Sequence, residues 1–133
     1  MPQPPTPVSP RVVWVDGRLL ADGDSSAISA NDHAIVVGDG VFETMKVVDG
    51  TAFALTRHLR RLCFSADGMG MLPPEEDRIC DAVAAVLDAD PTAGKLRITW
   101  SSGIGPLGSS RGDGPGTLIV ATEPGSAWPP AEA

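Results

Sequence analysis

The segment that sets the architecture reads Gly38-Asp39-Gly40-Val41-Phe42-Glu43-Thr44-Met45-Lys46-Val47-Val48-Asp49-Gly50. Its Gly-Asp-Gly start predicts a tight turn, and the β-branched and long apolar residues after it predict a strand over 41–48. The strand stops at Asp-Gly, a dipeptide typical of a β-hairpin turn. Because apolar residues lie on both faces of this strand, we expect it at the centre of a sheet with both faces covered.

Two helices are predicted after the strand. From Leu55 to about Met69, apolar residues recur at the spacing of one helical face, and Thr56 is the predicted N-cap. The prolines at 73 and 74 then start a new element. Residues 75–77 are all acidic, which a helix N-terminus prefers, and the apolar stripe that follows predicts a second helix ending before Asp90.

Strands are also predicted at both ends of the chain. Residues 12–15 and 18–20 flank an Asp-Gly turn and predict a hairpin, and residues 95–100 and 117–122 predict two more strands around a glycine-rich loop. The predicted fold class is α+β, an antiparallel-rich sheet with two helices packed on one face. We expect one domain over residues 11–124, a disordered proline-rich tail over 1–10, and a linker or tail over 125–133.

Composition excludes several classes of function. The chain has 133 residues and a formal charge of −7, which disfavours binding to nucleic acid or to an anionic membrane. No apolar run reaches the roughly 20 residues that span a bilayer. Because residues 1–5 lack the pattern of a signal peptide, we expect a cytoplasmic protein. Two cysteines and two histidines without ligand spacing predict no metal site.

Four motifs, in this order, resemble a known family. They are Val13-Trp14-Val15-Asp16-Gly17, then Gly38-Asp39-Gly40-Val41-Phe42-Glu43-Thr44, then His58-Leu59-Arg60-Arg61-Leu62, and the glycine-rich loop after Trp100. Together they resemble the small N-terminal domain of the class IV aminotransferases, the fold-type IV enzymes that use pyridoxal 5′-phosphate (PLP). The resemblance covers residues 11–124 and is closest to aminodeoxychorismate lyase.

The resemblance implies a residue that binds the cofactor. In this family the arginine of the His-x-x-Arg-Leu helix binds the PLP phosphate, and Arg61 matches it. A guanidinium offers a planar fork of donors to a phosphate. Arg57 and Arg60 compete for this role, although we expect both to face solvent. A basic, solvated helix without a ligand remains the alternative, and His58 is more simply explained as a structural residue.

The resemblance also implies substrate-binding residues. Phe42 occupies a position where D-alanine aminotransferases carry a tyrosine, and the chain contains no tyrosine at all. With Thr44, it forms a Phe-x-Thr pattern more similar to aminodeoxychorismate lyase, which releases pyruvate and leaves 4-aminobenzoate for folate synthesis. Arg111, in the loop that resembles the family's specificity loop, is expected to bind substrate carboxylates.

The lysine to which PLP is attached in this family has no counterpart here. Lys46 and Lys95 are the only lysines, and both are interpreted as ordinary strand residues. No catalytic residue is therefore predicted, and we expect the 133 residues to be inactive alone. The alternatives are a piece of a longer enzyme, a domain that works with a separately encoded partner, or a non-catalytic binding or dimerisation module.

If the chain is part of a full-length enzyme, the resemblance implies a homodimer acting on a small amino acid or on aminodeoxychorismate. A D-amino-acid or branched-chain aminotransferase is the alternative activity.

Overall fold

The computed structural model describes residues 12–20 and 28–125. These residues form one antiparallel sheet with helices on one face, so the predicted fold class is confirmed. The tail predicted over residues 1–10 and most of that over 125–133 lie outside the described residues. The strands are β1 (Val13–Val15), β2 (Arg18–Leu20), β3 (Gly40–Val48), β4 (Thr51–Ala52), β5 (Ala93–Ser101) and β6 (Thr117–Pro124).

The strands lie in the order β2-β1-β6-β5-β3-β4. Strand β1 of the first hairpin pairs with the last strand, β6. In this pairing Val13 lies opposite Ala121 and Val15 lies opposite Ile119. The long strands β5 and β6 form the centre. The prediction that β3 is central was wrong, since its outer neighbour β4 contains only two residues.

Within the part of the chain that the structure describes, three helices accompany the sheet. They are α1 (His33–Val36), α2 (Leu55–Gly68) and α3 (Glu76–Ala89). The two long helices start and end where the sequence predicted. The N-cap of α2 is Ala54, in the left-handed region at φ 57°, so Thr56 lies inside the helix and does not cap it. Among the described residues, none of the helices has both the length and the apolar character that crossing a bilayer requires.

The core lies between the sheet and the two long helices. Leu62 of α2, Ile79 and Val86 of α3, and Leu96 and Leu118 of the central strands are all fully buried. Burial of a side chain of this size stabilises the fold by about 1.5–3 kcal/mol.

The other face of β3 is open. Residues 41, 43, 45 and 47 of β3 are buried against the helices, while the alternate residues are exposed, including Phe42 at 55%. The prediction that both faces of this strand are covered was therefore wrong, because residues 42, 44, 46 and 48 are exposed. Large apolar side chains on an open sheet face are typical of a surface that another structure covers.

Candidate functional site

Arg61, the predicted phosphate-binding residue, is held by a carboxylate of the sheet. Strand β3 directs Glu43 toward α2, where His58 and Arg61 lie one helical turn apart. The Arg61 Nε–H donates to both carboxylate oxygens of Glu43, at 2.9 Å and 3.1 Å. The His58 Nδ1 lies 2.7 Å from Oε1 of the same carboxylate, to which it donates. Glu43 is only 6% exposed, so these contacts hold a buried charge.

The outer end of Arg61 is available to a ligand. Its side chain is 65% exposed, and none of its four Nη–H groups donates a hydrogen bond within residues 12–20 and 28–125. A guanidinium held at Nε presents its two Nη groups as a fork that matches the oxygens of a phosphate ester. The arrangement therefore fits the phosphate of PLP. Arg57 and Arg60 are exposed, as the sequence predicted.

The predicted substrate residues Phe42 and Thr44 lie on the open face of the sheet. Arg97 of β5 lies directly opposite Thr44, and its guanidinium carbon is 3.8 Å from the centroid of the Phe42 ring. This distance is typical of a cation–π contact. The open face thus combines an aromatic surface, a hydroxyl and a cation, which together can receive an organic carboxylate.

The two groups of residues lie on opposite faces of one strand. Arg61 is tied to Glu43 on the helix side, whereas the neighbouring Phe42 points to the open side. They share the strand β3 but not a surface. A ligand that contacts both would therefore have to reach around the edge of β3.

Arg111 has partners of its own. Its Nε and Nη2 donate to the two carboxylate oxygens of Asp39, at 2.7 Å and 3.1 Å. Nη1 donates to the carbonyl of Gly70, and Nη2 also donates to that of Met69. The Arg111 guanidinium, by hydrogen bonding, holds the pKa of Asp39 at about 2, against the opposing effect of burial. Arg111 thus joins the glycine-rich loop to the start of β3 and the end of α2. Its role in substrate binding stays a prediction.

A second acidic residue anchors the same loop. Asp32 is buried, and its carboxylate accepts hydrogen bonds from Ser101 Oγ at 2.7 Å and Thr117 Oγ1 at 2.6 Å. Next to it, the fully buried His33 contacts the carbonyl of Pro106 through Nε2 at 2.7 Å. Both ends of the loop and its middle are therefore fastened to the short helix α1.

A cavity of about 610 Å³ lies beside this loop rather than at Arg61. Trp100 and Arg78 line it, and Arg111 closes one side. The Trp100 indole N–H donates to the carbonyl of Leu72 at 2.9 Å, and Arg78 pairs with Asp16 at 3.3 Å. Arg61, Phe42 and Thr44 do not line this cavity, so Arg111 is the one predicted site residue among the described residues that lies at it.

Sequence reasoning missed two residues of the site. Glu43 is the one charged residue on the buried face of β3, between Val41 and Met45, and a charge in an apolar row calls for a partner. A search for that partner leads to the basic helix that follows. There was less reason in the sequence to select Arg97. Cations are common on the exposed face of an alternating strand whether or not a ligand binds there.

Comparison with known proteins identifies related chains. The family model of class IV amino-transferases matches residues 40–131. The chain is 38% identical, over 96 residues, to a bifunctional aminodeoxychorismate lyase / D-amino acid transaminase from Mycobacterium tuberculosis. That match covers 69% of this chain and 33% of the relative. The chain thus spans about a third of the length of this relative.

Solved structures are similar over most of the chain. A hypothetical aminotransferase from Mycobacterium tuberculosis, in its PLP-bound form, superposes with a TM-score of 0.72 at 34% identity, covering 86% of this chain and 40% of that one. A 4-amino-4-deoxychorismate lyase from Pseudomonas aeruginosa superposes with a TM-score of 0.73 at 27% identity, covering 88% and 41%.

Proposed function

Because the chain belongs to the class IV aminotransferase family, as its motifs predicted, we propose that it is the part of a PLP enzyme that anchors the cofactor phosphate. Enzymes of this family depend on PLP. The observation that carries the proposal is Arg61, which donates to Glu43 through Nε while its side chain is 65% exposed and its Nη groups have no acceptor within residues 12–20 and 28–125. When bound, PLP supplies an electron sink for chemistry at the substrate's amino-bearing carbon.

The chain's own residues bind and orient but do not supply the covalent anchor. Lys46 and Lys95 lie directly opposite each other on β3 and β5, and both belong to the exposed residues of the sheet. We propose that the lysine that holds PLP belongs to a further part of the enzyme. In that case the 133 residues alone have no lyase or transaminase activity.

The proposed reaction is that of aminodeoxychorismate lyase, which forms 4-aminobenzoate and pyruvate. The Phe-x-Thr pattern at Phe42 and Thr44 supports it, and so do the names of the relatives from two organisms. On the open face, Arg97 beside Thr44 provides a cation and a hydroxyl for the carboxylates of such a substrate. The proposed full-length enzyme is a homodimer in the cytoplasm.

Transamination of D-amino acids is the second candidate. It is favoured because the relative from Mycobacterium tuberculosis is named for both activities. The two reactions share the phosphate anchor and differ in the groups that receive the substrate, so Arg61 does not discriminate between them.

The phosphate anchor is tested on the chain itself. Pyridoxine 5′-phosphate carries the phosphate but no aldehyde, so it cannot react with Lys46 or Lys95. We expect it to shift the NMR signals of α2 in a saturable way, while pyridoxine without phosphate does not. Arg61→Ala should abolish the shifts, and Arg60→Ala, which removes an equal charge from the same helix, should leave them unchanged. Equal binding by both variants would refute Arg61 as the anchor.

The reaction is tested on the complete gene product. The reading frame around the 133 codons is determined, and its product is assayed with aminodeoxychorismate and, in parallel, with D-alanine and 2-oxoglutarate. Release of 4-aminobenzoate from aminodeoxychorismate supports the lyase. Formation of pyruvate from D-alanine only when 2-oxoglutarate is present supports the transaminase. Inactivity in both assays would favour a non-catalytic module.

A further inference from the structure

Glu43 places a carboxylate in a buried, largely apolar position. It is 6% exposed and lies between the buried apolar side chains of Val41 and Met45 on the helix-facing side of β3. Burying a carboxylate costs several kcal/mol unless it is paired and hydrogen-bonded. The compensation comes from His58 and Arg61, which supply three close contacts to its two oxygens.

The way in which Glu43 binds Arg61 is informative. A carboxylate that only neutralises an arginine can take the side-on fork, with one oxygen on Nε and the other on Nη2, as Asp39 does with Arg111. Glu43 instead directs both oxygens to Nε. This contact holds the guanidinium through Nε alone and leaves both Nη groups for another acceptor.

We propose that Glu43 is a positioning residue that holds Arg61 in the orientation in which its two Nη groups receive a phosphate ester. The proposal rests on the proposed function of Arg61 as the phosphate anchor. His58 contacts the same carboxylate at Oε1, which also accepts from Arg61, so the three side chains act as one unit. Without Glu43, a long side chain that is 65% exposed would lose its fixed orientation, and ordering it would oppose binding.

The charge of Glu43 and its positioning of Arg61 have opposite effects on the affinity for phosphate. The sign of the change in affinity therefore distinguishes them. The negative charge of Glu43 lies close to the ligand and repels an anion, so its removal alone would strengthen phosphate binding. Orientation predicts weaker binding when the acceptor is removed. Glu43→Gln removes the charge and keeps an acceptor for Nε, whereas Glu43→Ala removes both. The two variants therefore separate orientation from charge.

The test compares pyridoxine 5′-phosphate affinity for the wild-type chain and both variants by NMR titration. We expect Glu43→Gln to bind within about threefold of wild type and Glu43→Ala to bind about tenfold more weakly. Arg61→Lys keeps the charge but cannot contact Glu43 and a phosphate through separate nitrogens, so it should bind as weakly as Arg61→Ala. Circular dichroism confirms that each variant is folded.

A second measurement needs no ligand. In wild type and Glu43→Gln, the Arg61 Nε–H signal should be visible and slow to exchange, and in Glu43→Ala it should be lost. If Glu43→Ala binds as well as wild type, Glu43 has no positioning role, while Arg61→Ala still reports separately on the proposed function. If wild type itself does not bind pyridoxine 5′-phosphate, both proposals are refuted.

Discussion

Replacing Asp39 by Asn should weaken the attachment of the glycine-rich loop. Asp39 accepts two hydrogen bonds from Arg111, which also donates to the carbonyls of Gly70 and Met69 at the end of α2. An asparagine has one carbonyl oxygen, and its NH₂ group would face an arginine donor. We therefore expect the paired contact to be lost and the loop to open more often.

The magnitude follows from the pKa of Asp39. This pKa is lowered from 3.8 to about 2, chiefly by the hydrogen bonds from Arg111. Such a difference corresponds to about 2.5 kcal/mol if the pair were fully shielded from water. Asp39 is 12% exposed but Arg111 is 36% exposed. Solvent screening of that partner reduces the expected loss in the free energy of unfolding to about 1 kcal/mol.

The dependence on pH has a definite sign. A carboxyl whose pKa is lowered on folding stabilises the fold above its unfolded pKa, and this stabilisation is lost as the pH falls through the folded value. Urea unfolding of wild type and Asp39→Asn should therefore differ by about 1 kcal/mol at pH 7. The difference should begin to shrink below about pH 4 and approach zero only below about pH 2.

The difference between the two proteins isolates Asp39, because the other carboxyls titrate in both. A double-mutant cycle with Arg111→Ala provides the control, since the two changes should not add if they break the same contact. A difference that stays constant from pH 7 to pH 2 would show that the Asp39 charge is not the cause. Equal stabilities at pH 7 would refute the role of the pair altogether.

Three further changes test the packing around the site, each by urea unfolding. Asp32→Ala leaves the buried Ser101 hydroxyl and the partly buried Thr117 hydroxyl without this acceptor and should cost about 3 kcal/mol or more, whereas a loss below about 1 kcal/mol would mean that the carboxylate is not needed. Gly105→Ala would place a Cβ 2.5 Å from Nε2 of the fully buried His33 and should cost about 1–3 kcal/mol; unchanged stability would show that the loop can move away. Leu62→Ala removes a fully buried side chain of α2 and should cost about 2–5 kcal/mol, while a loss no larger than that of an exposed site would place Leu62 outside the core.

Most secondary structure followed from local patterns. The apolar stripes of α2 and α3 and the Asp-Gly turn at residues 16–17 were sufficient to predict the elements around them, and the Asp-Gly turn at 49–50 predicted the end of β3. Two short elements were missed. Helix α1 has four residues and β4 has two, too few for a periodic pattern, and both exist because neighbouring parts of the chain hold them.

For this protein the sequence by itself determined the fold class and the family, because repeated apolar spacing and ordered motifs are properties of short segments, and it predicted Arg61 as the phosphate-binding residue. Only the tertiary structure decided that one face of β3 is open, that Glu43 holds Arg61, and that Arg111 binds Asp39. Glu43 and Arg61 are 18 residues apart, and Asp39 and Arg111 are 72 residues apart. Contacts over such separations depend on how the strands and helices pack, and no local pattern encodes that arrangement.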